Sequence, residues 1–408
     1  QAAATKLGCL LGGTIPKAGR KTMKVAIVHY WLVGMRGGEK VVEALCEMFP
    51  SADIYTHVYR PDRMSATIRR HRIETTFIAR LPFSRGHYQM YLPLMPVALE
   101  QLDLSGYDLV ISSESGPAKG VITPPGSLHV CYCHTPMRYL WSGYHTYRQR
   151  SGRLTRTLMP AIMHQMRMWD LASAARVDHF IANSHNVADR IRKYYRRDAG
   201  VIYPPVDLQG YDATAHREDF YLYVGQLVPY KGADIVVDAF NRMRKRLVII
   251  GHGQDLPWLR RMCGPTVQLL GWQDDAVLRS YYARCRALVF AADEDFGMVP
   301  VEAMSAGRPV IALGRGGSCE TVIPGVTGLF FDEQSAEALI AAILQFEAME
   351  RSFDSARIAA HATSFSKGVF RMRMTETLGR WLDEQRQGSK RPGARVRAAT
   401  AEDAVFAA

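Results

Sequence analysis

The feature that most constrains the fold is the segment 287–313, where strand, loop, helix and strand signals follow one another without a gap. Residues 287–292 are a continuous apolar run, the pattern of a buried strand. The run breaks into an acidic loop, Asp293-Glu294-Asp295-Phe296-Gly297. A short helix then starts near Met298 or Val299, with Pro300 in its first turn, where a missing N–H is harmless. It stops at Gly307, and Pro309-Val310-Ile311 opens the next strand. This is the layout of a βαβ unit with parallel strands.

Such a unit makes an anion site, because the unpaired N–H groups of Phe296, Gly297, Met298 and Val299 converge at the helix start. Glu294 lies in the loop and Glu302 one turn into the helix. Two glutamates beside a phosphate repel it unless they hold something else. Hydroxyl-rich groups at either end of a diphosphate meet that need, which is the layout of a nucleotide-sugar. An ordinary solvent-facing loop with one exposed helical Glu is the plainer alternative.

The same alternation fills the chain on both sides. Residues 24–30 read as a buried strand, followed by Gly34-Met35-Arg36-Gly37-Gly38 and an amphipathic helix over 39–48. Gly37 and Gly38 let backbone N–H groups approach a phosphate, or simply make a tight turn. Further strands are expected at 53–58, 107–113, 129–132 and 177–182, with Cys133-His134 after the third of these. Residues 148–176 read as one long basic helical region, and Asn183-Ser184 as an N-cap for a helix near 187–195. Pro204-Pro205-Val206-Asp207 is a stiff link. Beyond it, strands at 220–224, 247–250, 267–270, 309–313 and 328–331 alternate with helices at 233–243, 274–284 and 335–346, and a last helix covers 365–384. Two doubly wound α/β domains follow, over 23–207 and 208–364. Residues 1–22 and 386–408 are expected to be disordered extensions.

Composition narrows the class. At 408 residues the chain exceeds one comfortable core, and 48% apolar with 22% charged residues is globular. No run of eighteen uncharged apolar residues argues for a membrane span. Seven cysteines without a C-x-x-C pair point to a reducing compartment, with Cys131 and Cys133 as packed side chains. Residues 1–200 carry 27 Lys/Arg against 14 Asp/Glu, a balance of +13, while the remainder carries 24 against 25, a balance of −1. A polyanionic partner therefore concerns the first half. No nucleic-acid motif accompanies that charge, and an anionic membrane surface or a lipid-linked diphosphate suits it better. In 60–100 and 148–176, arginines stand beside aromatic and apolar residues, as in a membrane-surface segment or in core helices with solvated arginines.

The spacing Glu294-x7-Glu302, with Phe296-Gly297 inside it, closely resembles the signature of the retaining glycosyltransferases of family 4. The resemblance spans about residues 24–385 and is strongest from 220 to 331, where Lys231, Gly307-x-Pro309 and Gly316-Gly317 fall in the expected order. It implies a GT-B architecture, two Rossmann-like domains facing across a cleft, with a helix over 365–385 crossing back to the first domain. It implies that Glu294 contacts the donor hexose, Glu302 the ribose and Lys231 the diphosphate, and that His134 lies at the sugar. Gln226 stands where the family has an arginine, so Arg36, Arg138 or Arg315 must compensate or diphosphate affinity falls. Gly316 and Gly317 add backbone donors or form a structural turn.

The resemblance further implies transfer of a hexose, mannose from GDP-mannose, to an oligosaccharide or lipid-linked acceptor in bacterial surface polysaccharide synthesis. No metal and no other cofactor is expected. The expected location is cytoplasmic, peripheral on the inner face of the cytoplasmic membrane. A UDP-hexose transferase, a nucleotide-sugar epimerase and a non-catalytic nucleotide- or lipid-binding scaffold stay open. A dinucleotide dehydrogenase is disfavoured, because Gly251-His252-Gly253 lacks the third glycine.

Overall fold

The computed structural model describes residues 23–389. The expectations for 1–22, and those for 390–408, lie outside the described residues. Among the described residues, thirteen strands form two sheets, all parallel. The first holds β1 (Val25–His29), β2 (Asp53–Thr56), β3 (Ile73–Thr75), β4 (Leu109–Glu114), β5 (Leu128–Cys133), β6 (His179–Ala182) and β7 (Ala199–Val201). The second holds β8 (Tyr221–Val224), β9 (Leu247–Ile250), β10 (Val267–Gly271), β11 (Leu288–Phe290), β12 (Val310–Leu313) and β13 (Gly328–Phe331). Strands β1, β4 and β5 are buried at every position, because helices cover both faces of each sheet.

The strand orders are β3-β2-β1-β4-β5-β6-β7 and β10-β9-β8-β11-β12-β13. Each order reverses once, between β1 and β4 and between β8 and β11, and ligands of such sheets bind outside the carboxyl ends of the strands at that reversal. At these carboxyl ends Gly37-Gly38 follow β1, Ser113 closes β4, Lys231 follows β8 and Glu294 follows β11.

The helices that matter here are α1 (Gly37–Met48), α2 (Tyr144–Arg150), α3 (Arg153–Ala174), α4 (His185–Tyr195), α5 (Ala233–Met243), α6 (Asp275–Arg284), α7 (Met298–Ser305), α8 (Ala336–Met349) and α9 (Lys367–Ser389). Helix α9 lays Phe370, Met374, Leu378 and Leu382 into the core of the first sheet, and Trp381 stacks on His179 at 4.1 Å. Burying each such side chain contributes about 1.5–3 kcal/mol. The chain crosses between the sheets twice, side by side, with Val206 N–H donating to Phe365 O at 3.0 Å.

Several elements differ from expectation. The long basic region is two helices, α2 and α3, separated at Ser151-Gly152, because the glycine adopts an extended conformation there. The helix Ser355–Ala362, capped by Asp354, and the short edge strands β3 and β7 carry too few residues for a periodic signal. Helix α9 continues to Ser389, so residues 386–389 are helical where disorder was expected.

Candidate active site

The site is built around the start of α7. Gly297 takes a left-handed conformation (φ +83°) that turns β11 into the helix, and no side chain caps α7. Its first N–H groups are therefore left for a ligand. Phe296 is a core residue, 3% exposed, packed against Tyr203 and Phe365. Its ring anchors the loop, so the expected donor contact of this residue is its backbone N–H and not its side chain. Met298 and Val299 are half-buried at the mouth of the helix.

Two glycines hold this loop from behind. Gly317 N–H donates to Glu294 O at 2.9 Å, and a Cβ on Gly317 would stand 2.3 Å from Phe296 Cα. A Cβ on Gly316 (φ +67°) would stand 2.3 Å from Glu294 O. The Gly317 donor is engaged within this turn.

Lys231, at the end of a short turn after β8, brings Nζ to within 2.5 Å of Glu294 Oε1. Gln226 is exposed earlier in the same loop. Gly251 and Gly253 explain why glycine recurs after β9. A Cβ at either would fall about 2 Å from the carbonyls of Gly225 and Leu227, so these residues let the Lys231 loop lie flat against the sheet end. Glu302, one turn into α7, accepts from the Tyr282 hydroxyl of α6 at 2.9 Å. Burial raises its carboxyl above the ordinary value, against the pull of Lys40 on α1 and of Tyr282.

The opposite wall comes from the first sheet. Gly37 begins α1, and a Cβ there would meet Met298 Sδ at 3.2 Å, so the glycine turn of one half faces the α7 start of the other. His134 follows β5, half-buried, with Nε2 2.8 Å from Ser113 Oγ. Burial, with His29 adding to it, pushes its imidazole down to about 3, so it is neutral at pH 7.

Charged contacts tie the walls together. Asp295 accepts from Arg138 at 2.8 Å and also from Arg190 of α4. Glu320 accepts from the N–H groups of His185 and Asn186 at 2.8 and 2.9 Å, capping α4 from the other half. Of the three candidate compensating cations, Arg138 is the one held in this wall. Arg36 and Arg315 are exposed, the latter donating to Asp332 O at 3.2 Å. Arg190, Tyr282, Lys40 and Glu320 escaped the sequence reading because their partners are distant in the chain. Ser113 and His29 left a faint signal, polar residues at the ends of apolar strands.

Comparison with known proteins decides the family. A model of Glycosyltransferase Family 4 matches residues 35–209, and a model of glycosyl transferases group 1 matches residues 212–363. The chain belongs to glycosyltransferase family 4. An uncharacterized glycosyltransferase of Methanocaldococcus jannaschii, MJ1178, is 31% identical over 176 residues, 41% of this chain and 49% of that protein. A GDP-mannose-dependent alpha-(1-6)-phosphatidylinositol monomannoside mannosyltransferase of Mycobacterium tuberculosis is 35% identical over 140 residues, 30% of this chain and 36% of that protein. The family 4 chain thus spans about half the length, or less, of these curated relatives. The crystal structure of Anabaena Alr3699/HepE in complex with UDP-glucose superposes with a TM-score of 0.63 at 18% identity, covering 88% of this chain and 100% of that one. The family 4 chain therefore has the GT-B fold.

Proposed function

We propose that this protein is a retaining glycosyltransferase that moves a hexose, mannose from GDP-mannose, to a hydroxyl of a saccharide or lipid-linked saccharide acceptor in bacterial surface polysaccharide assembly. The observation that carries the proposal is the Lys231–Glu294 pair beside the uncapped start of α7, with Glu302 one turn on. Glu294 orients the hexose, Glu302 holds the ribose, and Lys231 with the α7 N–H groups stabilises the departing diphosphate. That stabilisation is electrostatic and preorganised, and it calls for no metal or other cofactor. The bond from the anomeric carbon to the diphosphate oxygen breaks, and a bond to the acceptor oxygen forms on the same face. The acceptor's proton passes to the departing diphosphate. His134 borders the sugar from the opposite wall.

GDP-mannose is favoured by the mycobacterial relative, whose name gives that donor, and by the LVPYK and EDFGMVPVEA runs. A UDP-hexose donor is the second reading, favoured by the Anabaena structure, which holds UDP-glucose. Incubation with a panel of nucleotide sugars, assayed for free GDP or UDP, separates them. GDP release from GDP-mannose alone is expected. UDP release reverses the donor assignment, and nucleotide binding without turnover of any donor overturns the proposal. In the positive case Glu294→Gln lowers turnover about a hundredfold, the scale for one preorganised polar group at a reacting centre, while GDP binding survives.

An anionic membrane surface is the proposed docking partner of the first half. Phe83, 77% exposed, Met90 and Val97 are exposed in the stretch that holds Arg80 and Arg85, and Leu154, 75% exposed, and Leu158 in the stretch that holds Arg153 and Arg156. Among the described residues no helix is long and apolar enough to cross a membrane. Cosedimentation with anionic vesicles, abolished by salt and absent with neutral vesicles, is the expected result.

A further inference from the structure

Behind His134 runs a line of side chains that the proposed chemistry does not use. Ser113 Oγ stands 2.8 Å from His134 Nε2 and 3.1 Å from His29 Nδ1. His29 is fully buried, and its Nε2, without a hydrogen-bond partner, faces Glu39 Oε1 at 3.9 Å. Glu39 is buried as well, its other oxygen accepting from Arg36 N–H at 3.1 Å. Gly38 roofs the line. A Cβ there would meet Tyr30 Oη at 2.8 Å, His29 Cε1 at 3.4 Å and His134 Nε2 at 3.6 Å.

A serine hydroxyl has one proton, so Ser113 can donate to only one of the two rings and must accept from the other. Two arrangements satisfy all three groups. In one, His134 Nε2–H donates to Ser113, which donates to His29 Nδ1. In the other, His29 Nδ1–H donates to Ser113, which donates to His134 Nε2. Glu39 chooses between them. With one proton on the ring, a carboxylate facing His29 Nε2 holds it on that nitrogen and leaves Nδ1 as the acceptor. The first arrangement follows, and His134 is left with a bare Nδ1.

We propose that Glu39, His29 and Ser113 are positioning residues that fix His134 as the Nε2–H tautomer, so that its Nδ1 accepts a hydrogen bond from a hydroxyl of the bound sugar. The sugar in that statement rests on the proposed function; the tautomer does not. A fixed acceptor at this place discriminates among hexoses by where they carry a hydroxyl, because a sugar lacking it leaves a polar ring atom unpaired.

The test is the ring-nitrogen spectrum of His134 in the ligand-free wild-type protein labelled with 15N-histidine. A protonated Nε2 and an unprotonated Nδ1 are expected. A protonated Nδ1 overturns the proposal. Glu39→Gln, whose amide can donate or accept, shifts part of the His134 population to the Nδ1–H form, and an unchanged spectrum there contradicts the role of Glu39. In turnover, Ser113→Ala lowers kcat/KM for the donor about three- to tenfold, the worth of one net hydrogen bond, and Ser113→Thr restores it. Loss of activity in Ser113→Ala that Ser113→Thr fails to restore also counts against the relay. Failure of every donor to turn over would remove the sugar and leave the tautomer standing.

Discussion

Gly317 shows how closely the residues of this site are fitted. Its missing side chain lets the backbone lie against Phe296 and bond Glu294 O, so Gly317→Ala must push the signature loop toward the cleft. The expected outcome is a loss of stability of about 1–3 kcal/mol, the range for overpacking, with turnover falling further than stability alone explains. Denaturant unfolding and donor turnover measured on one preparation check both. Arg138 is a second case. It shares Asp295 with Arg190, two guanidinium groups on one carboxylate, and the carboxylates of Glu294 and Asp293 also act on it. Arg138→Gln should weaken GDP binding about tenfold or more, the scale of a charge-assisted hydrogen bond, whereas Arg315→Gln at the exposed rim should barely change it. Calorimetric titration with GDP reads the contrast. Glu294 and Glu302 were expected from motif spacing, and Lys231 and His134 from the family resemblance. Tyr282, Arg190 and Glu320 were not, since each meets its partner through tertiary packing that no local pattern encodes.

At the scale of elements, both halves put a loop and a helix start at the point where their strand order reverses. Strand runs such as 247–250 and 328–331 could be read to the residue, because parallel strands buried on both faces are unbroken apolar runs. The split between α2 and α3 could not, because arginines and leucines fit one long helix as well as two. The start of α4 has a carboxylate cap from the other half, Glu320 on His185 and Asn186, beside its own Ser184 cap on Val187. A negative group at a helix start satisfies free N–H groups and opposes the helix dipole. Glu320→Ala should therefore speed amide hydrogen exchange at the first turn of α4 several-fold, while leaving α5 and α8 unchanged. Equal exchange in variant and wild type would mean that this contact does not hold the halves together.

The whole molecule carries an acid sensitivity of its own. Burial pushes His57 and His134 down to about 3 and His129 to about 4, so folding keeps all three neutral. The unfolded chain protonates them near the ordinary value of 6.5. Their contribution is thus complete above that value and is lost as pH falls toward 4, at about 1.4 kcal/mol per pH unit for each histidine. Glu302, Asp295 and Glu114 are raised by burial and act in the opposite sense, losing stability as pH climbs from the ordinary carboxyl range up to their raised folded values. A difference measurement separates the two groups. Unfolding free energies of His57→Gln against wild type between pH 6 and 4 should converge on the acid side, by about 1.4 kcal/mol per pH unit. Parallel curves would show that His57 titrates alike in both states. The two-sheet plan itself was legible, because alternating strand and helix signals restart after the proline link. The way one half docks on the other was not, because salt bridges across a cleft leave no periodicity. The most direct measurement is a crystal structure of the protein with GDP-mannose bound. The diphosphate is expected against Lys231 and the first N–H groups of α7, the hexose on Glu294 and the ribose on Glu302. A donor bound elsewhere, with both carboxylates free of it, would contradict these roles.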